Sequence, residues 1–230
     1  MFTRLYASLL HLFYPHNCDV CGTDLSGKEE VLCFQCQHKL PVTNFQQYDD
    51  NPVEKIYRGR TAVQHAMAGY YYTQSSHLRQ LIHLFKYQGR KDVALYLGRQ
   101  MGFMLNKSKW LHEISCIVPV PLNSAKEKQR GYNQSALLAH GIATVVQKPV
   151  ITNALYRHKH TSTQTHKNRA DRWQNVAAVF APANIQSVSG QHVLLIDDVI
   201  TTGATTEACS NILLTANATV SIGCLAFAYN

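Results

Sequence analysis

The sequence predicts an α/β protein with an open, mostly parallel sheet and a small N-terminal module that carries four cysteines. Two observations predict the sheet. Apolar runs without polar alternation are typical of strands covered on both faces, and segments with helical apolar spacing lie between them. Strand, helix, strand, helix, strand is the order expected of such a sheet. The third observation, two Cys-x-x-Cys pairs near the N-terminus, predicts the module.

The composition is that of a folded, basic protein. Hydrophobic residues make up 46% of the 230 residues, and no segment has the bias of a disordered or repetitive chain. There are 22 Lys and Arg residues against 14 Asp and Glu, a formal charge of +8, so polyanions are the natural partners. A basic surface that only keeps the protein soluble explains this charge as well. The clustering of the charge along the chain is therefore the informative feature.

The N-terminal segment has apolar residues at helical spacing, interrupted by Arg4 and His11. It is too short and too polar to span a bilayer, and no small-residue cleavage site follows it, so we expect neither a transmembrane helix nor a secretory signal. An amphipathic helix packed on the protein is favoured over a membrane-surface anchor. We expect a cytoplasmic protein without stable membrane insertion, with a peripheral position at the inner membrane left open.

Four cysteines have a spacing typical of zinc modules: Cys18-x-x-Cys21, an eleven-residue gap, then Cys33-x-x-Cys36. Two such pairs supply the closed tetrahedral shell of a structural zinc ion. Disulfides or a redox pair are the alternatives, and they are less expected because nothing marks the chain for export. Residues 1–45 are therefore predicted to hold an N-terminal helix and a zinc-binding module.

A turn-rich stretch over residues 41–60 separates this module from a second domain, predicted to span residues 60–230. In that domain the apolar spacing predicts a helix on each side of Gly89 and another in SALLAHGIATVV. The runs ISCIVPVP, HVLLIDDV and TVSIGCLAFA are predicted to be strands. A helix is predicted between the last two, over residues 204–216.

Two adjacent acids, Asp197 and Asp198, fall at the end of the HVLLIDDV strand, where open α/β sheets bind ligands. Vicinal sugar hydroxyls or a hydrated Mg²⁺ ion would pair with them. The loop that follows begins a helix, and its hydroxyls, its glycine and its unpaired N–H groups suit an anion. The loop consists of Thr201, Thr202, Gly203, Ala204 and Thr205. A ribose 5-phosphate fits both halves.

The stretch VLLIDDVITTGAT resembles the phosphoribosyl pyrophosphate (PRPP) motif of type I phosphoribosyltransferases. The resemblance implies that Asp197 and Asp198 hold the ribose hydroxyls, that residues 201–205 surround the 5′-phosphate, and that Mg²⁺ binds with PRPP.

The run VPVP resembles the pyrophosphate loop of the same superfamily, which implies that Val120 and Pro121 lie against the diphosphate. Arg130, in the basic segment that follows, is expected to stabilise the charge that develops on the pyrophosphate leaving group. For Lys126 and Lys128, a solvated basic loop is an equal alternative.

A wider resemblance covers nearly the whole chain. The Cys-x-x-Cys pairs, LFKYQGR, PVPLNSAKEKQRGYNQSALLA, TQTHKNRADRWQNVAAVF and the PRPP motif follow one another in the order seen in the ComF family. Members of that family are zinc-module proteins similar to phosphoribosyltransferases, associated with natural competence or with the use of external DNA as a nutrient. The resemblance implies a type I phosphoribosyltransferase fold and a competence helicase as a partner.

The densest positive region lies between Tyr156 and Asn175, and single-stranded DNA is its expected partner. Aromatic rings at its edges could stack on bases while the cations follow the phosphates. A lid over the PRPP pocket and a plain exposed basic loop are the alternatives. The candidate DNA-binding residues are Arg157, Lys159, Lys167, Arg169, Arg172 and Trp173.

Three functions stay open at this point. The favoured one is the handling of single-stranded DNA during natural transformation or external DNA use, by a protein with a PRPP-binding pocket. The second is an active phosphoribosyltransferase that moves ribose 5-phosphate from PRPP to an unidentified nitrogen acceptor, with Asp197, Asp198 and Arg130 as catalytic groups. In the third, PRPP is a regulatory ligand that binds without turnover.

Overall fold

The computed structural model describes residues 16–25, 30–73, 76–158 and 179–228. Its strands are β1 (Ala66–Tyr72), β2 (Cys116–Pro119), β3 (Leu155–Arg157), β4 (Phe180–Pro182), β5 (His192–Ile200) and β6 (Thr219–Ala228). Four of them form a parallel sheet in the order β1-β6-β5-β2, and β3 pairs with β4 in a small antiparallel sheet. The predicted open parallel sheet is confirmed.

Seven α-helices lie within the described ranges. They are α1 (Phe34–His38), α2 (Pro52–Tyr57), α3 (His77–Tyr87), α4 (Lys91–Leu105), α5 (Ser124–Arg130), α6 (Gln134–Val146) and α7 (Ala204–Leu214). Short 3₁₀ turns lie at Phe45–Gln47, Leu111–Glu113 and Ile185–Val188. The helices predicted on either side of Gly89 are α3 and α4, and the helix predicted after Gly203 ends at Leu214. Within the described ranges, no helix is both long enough and apolar enough to cross a membrane.

The central strands have no polar alternation because both of their faces are covered. All four residues from Val193 to Ile196 on β5 are fully buried. On the neighbouring β6, every side chain from Val220 to Ala226 is also fully buried. Burial on both faces is the property that parallel strands between helices require. The carboxyl end of β5, where the two acids lie, is thereby fixed in the middle of the sheet.

Helices α4 and α6 pack closely because each has a glycine at the crossing. A Cβ atom built at Gly98 would lie 2.4 Å from the carbonyl oxygen of Leu138, and one at Gly141 would lie 2.3 Å from that of Leu95. Only glycine lets the two backbones approach this far. This contact places the start of α6, and with it Ser135, beside the end of β5.

The stretch predicted to be turns between residues 41 and 60 contains helix α2. Asn51 caps it, because its Oδ1 accepts from the N–H groups of Val53 (3.0 Å) and Glu54 (3.2 Å), and proline occupies the first helical position. The Asn51 amide also donates to the carbonyl of Ala66 on β1 at 2.8 Å. Helix α2 is thus attached to the edge of the sheet.

Candidate functional site

The two adjacent acids lie at the carboxyl end of β5 and have different partners. Asp197 Oδ1 accepts hydrogen bonds from Ser135 Oγ at 3.2 Å and from the N–H of Asp198 at 2.9 Å. Asp198 Oδ1 accepts from the N–H of Val199 at 2.6 Å, and its Oδ2 lies 2.5 Å from Lys86 Nζ. Asp198 is therefore already neutralised by a cation of the protein, whereas Asp197 has only neutral donors.

The environment of Asp197 shifts its titration toward neutral pH. Burial, followed by the neighbouring charge of Asp198, raises the pKa of Asp197 to about 7. The N–H of Asp198 and the ammonium of Lys86 oppose this rise. The charge of Asp197 therefore changes within the physiological pH range, as is common for groups at ligand sites.

Gly203 begins helix α7 in a conformation that favours glycine. Its φ is 74°, and a Cβ atom there would lie 2.6 Å from Cγ2 of Ile56. No side chain caps this helix start. Thr201 and Thr202 are exposed, while Ala204 and Thr205 are half-buried. The predicted loop runs into helix α7, whose first turn has N–H groups without a side-chain cap, an arrangement that suits an anion.

Helix α2 and the residues after it brace this loop. Arg60 Nη1 donates to the carbonyl of Thr202 at 3.1 Å. Tyr57 OH lies 2.6 Å from Thr206 Oγ1, which in turn donates to the carbonyl of Gly203 at 3.0 Å. No local sequence pattern links Tyr57 and Arg60 to the loop, because they lie more than 140 residues away from it. The Asn-Pro pair that starts α2 was the available signal.

The acids open into a cavity of about 300 Å³, which we call the carboxylate cavity. It brings together seven predicted residues: Val120, Pro121, Arg130, Arg157, Asp197, Asp198 and Thr205. The side chains of Lys86 and Lys126 line it as well, so four cations face two acids. Residues 201–204 are not part of its lining. The cavity therefore has the positive excess that a phosphorylated ligand requires.

The wall formed by VPVP contributes shape rather than hydrogen-bond donors. The N–H of Val120 donates to the carbonyl of Ile196 at 2.9 Å, and Pro121 has no N–H. Neither residue therefore has a free main-chain donor for a diphosphate. The cationic side chains around the cavity are better placed to contact one.

Lys86, Gln134 and Ser135 are among the lining residues for which the sequence predicted no role. Lys86 comes from the end of α3, whereas Gln134 and Ser135 come from the start of α6. The Gln134 side chain is buried, and its Nε2 has no hydrogen-bond partner in the described part of the chain. A buried donor without a partner is uncommon in native proteins, so this amide is positioned to donate to a ligand in the cavity.

The predicted DNA-binding residues are only partly described. Arg157 lies in the carboxylate cavity, with its guanidinium 5.0 Å from the centre of the Phe180 ring. The other five, Lys159, Lys167, Arg169, Arg172 and Trp173, lie outside the described residues. The predicted N-terminal helix lies outside them as well.

The four predicted cysteine ligands form one cluster. Their sulfur atoms all lie within 4.8 Å of one another, and those of Cys21 and Cys33 are 3.6 Å apart. A tetrahedral zinc ion with Zn–S bonds of about 2.3 Å holds its sulfurs about 3.8 Å apart, so the cluster fits zinc. Cys18 and Cys36 are buried, and none of the four forms a disulfide. Because the cluster offers four thiolates, a bound zinc ion would have no open position and its role would be structural.

One arginine attaches the cysteine cluster to the larger fold. Asp19, inside the first Cys-x-x-Cys pair, accepts from Arg90 Nη1 at 2.5 Å and from Nη2 at 2.7 Å. The side chain of Gln80 donates to the Asp19 carbonyl at 2.7 Å. Arg90 follows Lys86 and Tyr87 by only a few residues, so the segment that contacts Asp198 also holds the cysteine cluster.

A match to a known family agrees with this architecture. The family described as Phosphoribosyl transferase domain matches residues 132–230. Among solved structures, glutamine PRPP amidotransferase from Bacillus subtilis is 22% identical with a TM-score of 0.43, covering 62% of this chain and 30% of that one. The parallel sheet, the matched domain and the cysteine cluster define a type I phosphoribosyltransferase fold with an N-terminal four-cysteine module.

Curated relatives specify the group further. "Competence protein F" of Haemophilus influenzae is 28% identical over 87% of this chain and 92% of its own length. "DNA utilization protein YhgH" of Salmonella typhimurium is 34% identical, covering 64% of this chain and 66% of its own length. "Competence protein ComFC" of Bacillus subtilis is 28% identical, covering 62% of this chain and 56% of its own length. The chain belongs to the ComF family.

Proposed function

We propose that this protein handles single-stranded DNA during natural transformation or external DNA use, and that its carboxylate cavity binds PRPP with Mg²⁺. The names of its relatives, which refer to competence and to DNA utilization, support the first part. In this proposal residues 1–45 are a zinc-binding module and residues 60–230 a phosphoribosyltransferase-like domain. The protein acts in the cytoplasm, with a peripheral position at the inner membrane where an entering strand arrives.

The observation that carries the PRPP proposal is the closeness of three features. Two acids near the carboxyl end of strand β5 open into a cavity that four cations line. Helix α7, which starts after Gly203 with uncapped N–H groups, contributes Thr205 to the same cavity. Carboxylates accept the ribose hydroxyls, and the helix start suits the 5′-phosphate. The cations suit the diphosphate, whose charge Mg²⁺ further neutralises when bound.

Lys86 gives the site a cation of its own. Sugar hydroxyls that bind Asp198 compete with the Lys86 ammonium for the same carboxylate oxygen, which is 2.5 Å away. When the ligand takes that oxygen, the diphosphate supplies Lys86 with a new partner in the same cavity. Gln134, whose buried amide has no partner among the described residues, gains one at the same time.

Calorimetric titration of PRPP with Mg²⁺ tests this pocket. We expect saturable heat with the unmodified protein and none with the double variant Asp197→Asn, Asp198→Asn. The chain offers a matched control in Asp49→Asn, Asp50→Asn, a second pair of adjacent acids that lies exposed on the surface. Absence of heat in the unmodified protein, or its loss in the control as well, would reject a PRPP site at Asp197 and Asp198.

The DNA part of the proposal predicts binding that weakens steeply with salt. Each neutralised phosphate of a single strand contributes about −0.7 to the slope of log affinity against log salt. A protein that shows no single-strand binding at low salt, or a deletion strain that transforms as the wild type does, contradicts this part. A competence helicase is the partner we propose, and co-purification from competent cells checks it.

Active phosphoribosyl transfer is the second candidate, and the position of Arg130 favours it. Arg130 lines the carboxylate cavity beside Lys126, where both can stabilise the negative charge on departing pyrophosphate. The bond from the anomeric carbon to the pyrophosphate oxygen breaks, and a nitrogen acceptor then bonds to that carbon and loses its proton. Release of pyrophosphate with nucleobases, ammonia or DNA as acceptor is the assay. PRPP binding without release in any mixture instead favours a regulatory ligand.

A further inference from the structure

A second cavity adjoins the carboxylate cavity and has a different lining. It has a volume of about 430 Å³, and we call it the tyrosine cavity because two of its walls are Tyr87 and Tyr132. The remaining lining residues are Lys86, Gly89, Lys126, Gln129 and Arg130. Four of the seven, Lys86, Tyr87, Lys126 and Arg130, line both cavities. The two cavities are therefore neighbours that share one cationic wall.

Tyr87 is the more exposed of the two tyrosines that line this cavity. Its side chain is 67% exposed, although it lies at the end of α3, a helix whose other aromatic residue, Phe85, is fully buried. The guanidinium of Arg130 lies 5.3 Å from the centre of the Tyr87 ring, and the ring of His83 lies 5.0 Å from it. Arg130 thus lies over the Tyr87 ring, and the two side chains form one surface of the cavity.

Tyr132 has the opposite role and shapes the floor. It is buried, and its hydroxyl donates to the carbonyl of Phe85, so its polar end is already bound within the fold. Lys91 Nζ lies 5.3 Å from the centre of its ring. Tyr87 is thus the tyrosine of this cavity whose ring remains accessible to a ligand.

The charges around this surface are all positive. Three of the lining residues, Lys86, Lys126 and Arg130, are cations, and no Asp or Glu is among the described residues that line the cavity. A flat ring beside cations suits a ligand that has an aromatic plane and a phosphate on the same unit. A nucleotide has both, whereas a free sugar phosphate has only the phosphate.

We propose that the tyrosine cavity is a nucleotide site, in which a nucleobase stacks on Tyr87 and Arg130 while its phosphate contacts Lys126. This inference rests on the proposed function and deepens it, because it gives the DNA strand or the free acceptor nucleotide a defined place next to the PRPP site. The shared wall puts the base beside the cavity that would hold the ribose and pyrophosphate. Both sources offer the same chemistry, a base with an attached phosphate.

The test separates base stacking from phosphate attraction. Two labelled single strands of about 12 nucleotides are compared at low salt by fluorescence anisotropy, one of thymidylate and one with abasic sugars and the same phosphates. The protein variants are Tyr87→Ala, Tyr87→Phe and, as a matched exposed tyrosine outside both cavities, Tyr48→Ala. Thymidine monophosphate, titrated calorimetrically into the same proteins, represents the free nucleotide.

We expect Tyr87→Ala to weaken binding of the thymidylate strand by about 5- to 150-fold, the range for loss of one stacked base. Binding of the abasic strand stays unchanged, and both Tyr87→Phe and Tyr48→Ala bind as the unmodified protein does. If Tyr87→Ala weakens the binding of thymidine monophosphate but not of the strands, the site is also supported and its ligand is a free nucleotide.

The nucleotide site is overturned if the protein binds both strands equally and Tyr87→Ala does not change this binding. The DNA-handling proposal would stand in that case, since the phosphates alone would account for the affinity. Absence of binding with every strand and nucleotide overturns both. PRPP calorimetry on the same Tyr87→Ala protein shows separately whether the carboxylate cavity still works. Its heat also shows that this variant is folded.

Discussion

If the carboxylate cavity binds PRPP as proposed, the pKa of Asp197 makes that binding weaker in acid. Its folded-state pKa of about 7 lies above the ordinary range of aspartate because of burial and the charge of Asp198. With that pKa, Asp197 is about 90% ionised at pH 8 and about 10% ionised at pH 6. The ionised carboxylate accepts ribose hydroxyl protons more strongly than the neutral carboxyl does. Affinity for PRPP should therefore fall from pH 8 to pH 6, by at most about tenfold, which corresponds to about 1.4 kcal/mol.

The assay is calorimetric titration at a series of pH values, with a variant that removes the titrating group. PRPP phosphates also take up protons near pH 6, so part of any fall belongs to the ligand. The Asp197→Asn variant keeps the pH dependence that comes from the ligand but lacks the part that comes from the Asp197 carboxyl. The difference between the two pH profiles therefore isolates Asp197. Lys86→Met should move the midpoint of this difference to higher pH, because the Lys86 ammonium helps to hold the pKa of Asp197 down. Parallel profiles for the unmodified protein and Asp197→Asn would refute the reasoning.

Three further variants test the fold around the site. Gly203→Ala should lower the free energy of unfolding by more than about 1 kcal/mol, and by more than Gly59→Ala does, since both have positive φ but only the former meets a close neighbour. Arg90→Met should speed the loss of zinc to a chelator relative to Arg58→Met, whose partner is exposed; equal rates would contradict the role of the bridge. Burial lowers the pKa of His192, so the unfolded chain binds more protons as pH falls below about 6.5. Stability should then drop in acid, and less steeply in His192→Gln; identical pH profiles in thermal unfolding would argue against this.

Three strands of the parallel sheet and the helices α3, α4, α6 and α7 could be predicted because their signals are local, whereas the edge strand β1 was not predicted. The strand HVLLIDDV is recognised by its continuous apolar residues, and α6 by the helical spacing of its apolar residues. Neither signal requires knowledge of what the element contacts. The acid pair and the cysteine pairs were equally visible, since their members are close in sequence. The strand end that holds the acids and the turns that hold the cysteines were also visible in the neighbouring residues.

The rest of the site depends on contacts that no local pattern contains. Lys86 reaches Asp198 from a helix more than 100 residues earlier, and Gln134 enters the cavity because two glycines let its helix approach α4. Helix α2 was missed because a six-residue helix has too few turns to show periodicity. Its Asn51 cap was the better signal.

One short segment joins the three functional features of the described chain. Between residues 86 and 90, Lys86 neutralises Asp198, Tyr87 faces the tyrosine cavity, and Arg90 holds Asp19 within the cysteine cluster. A helix end fixed at only one of these points would be free to fray, because the last turn of a helix lacks its own hydrogen-bond partners. A metal bound at the cysteines and a ligand bound at the acids would therefore restrain the same segment. For this reason Arg90→Met should weaken PRPP binding as well as zinc retention, although Arg90 is not among the residues that line either cavity.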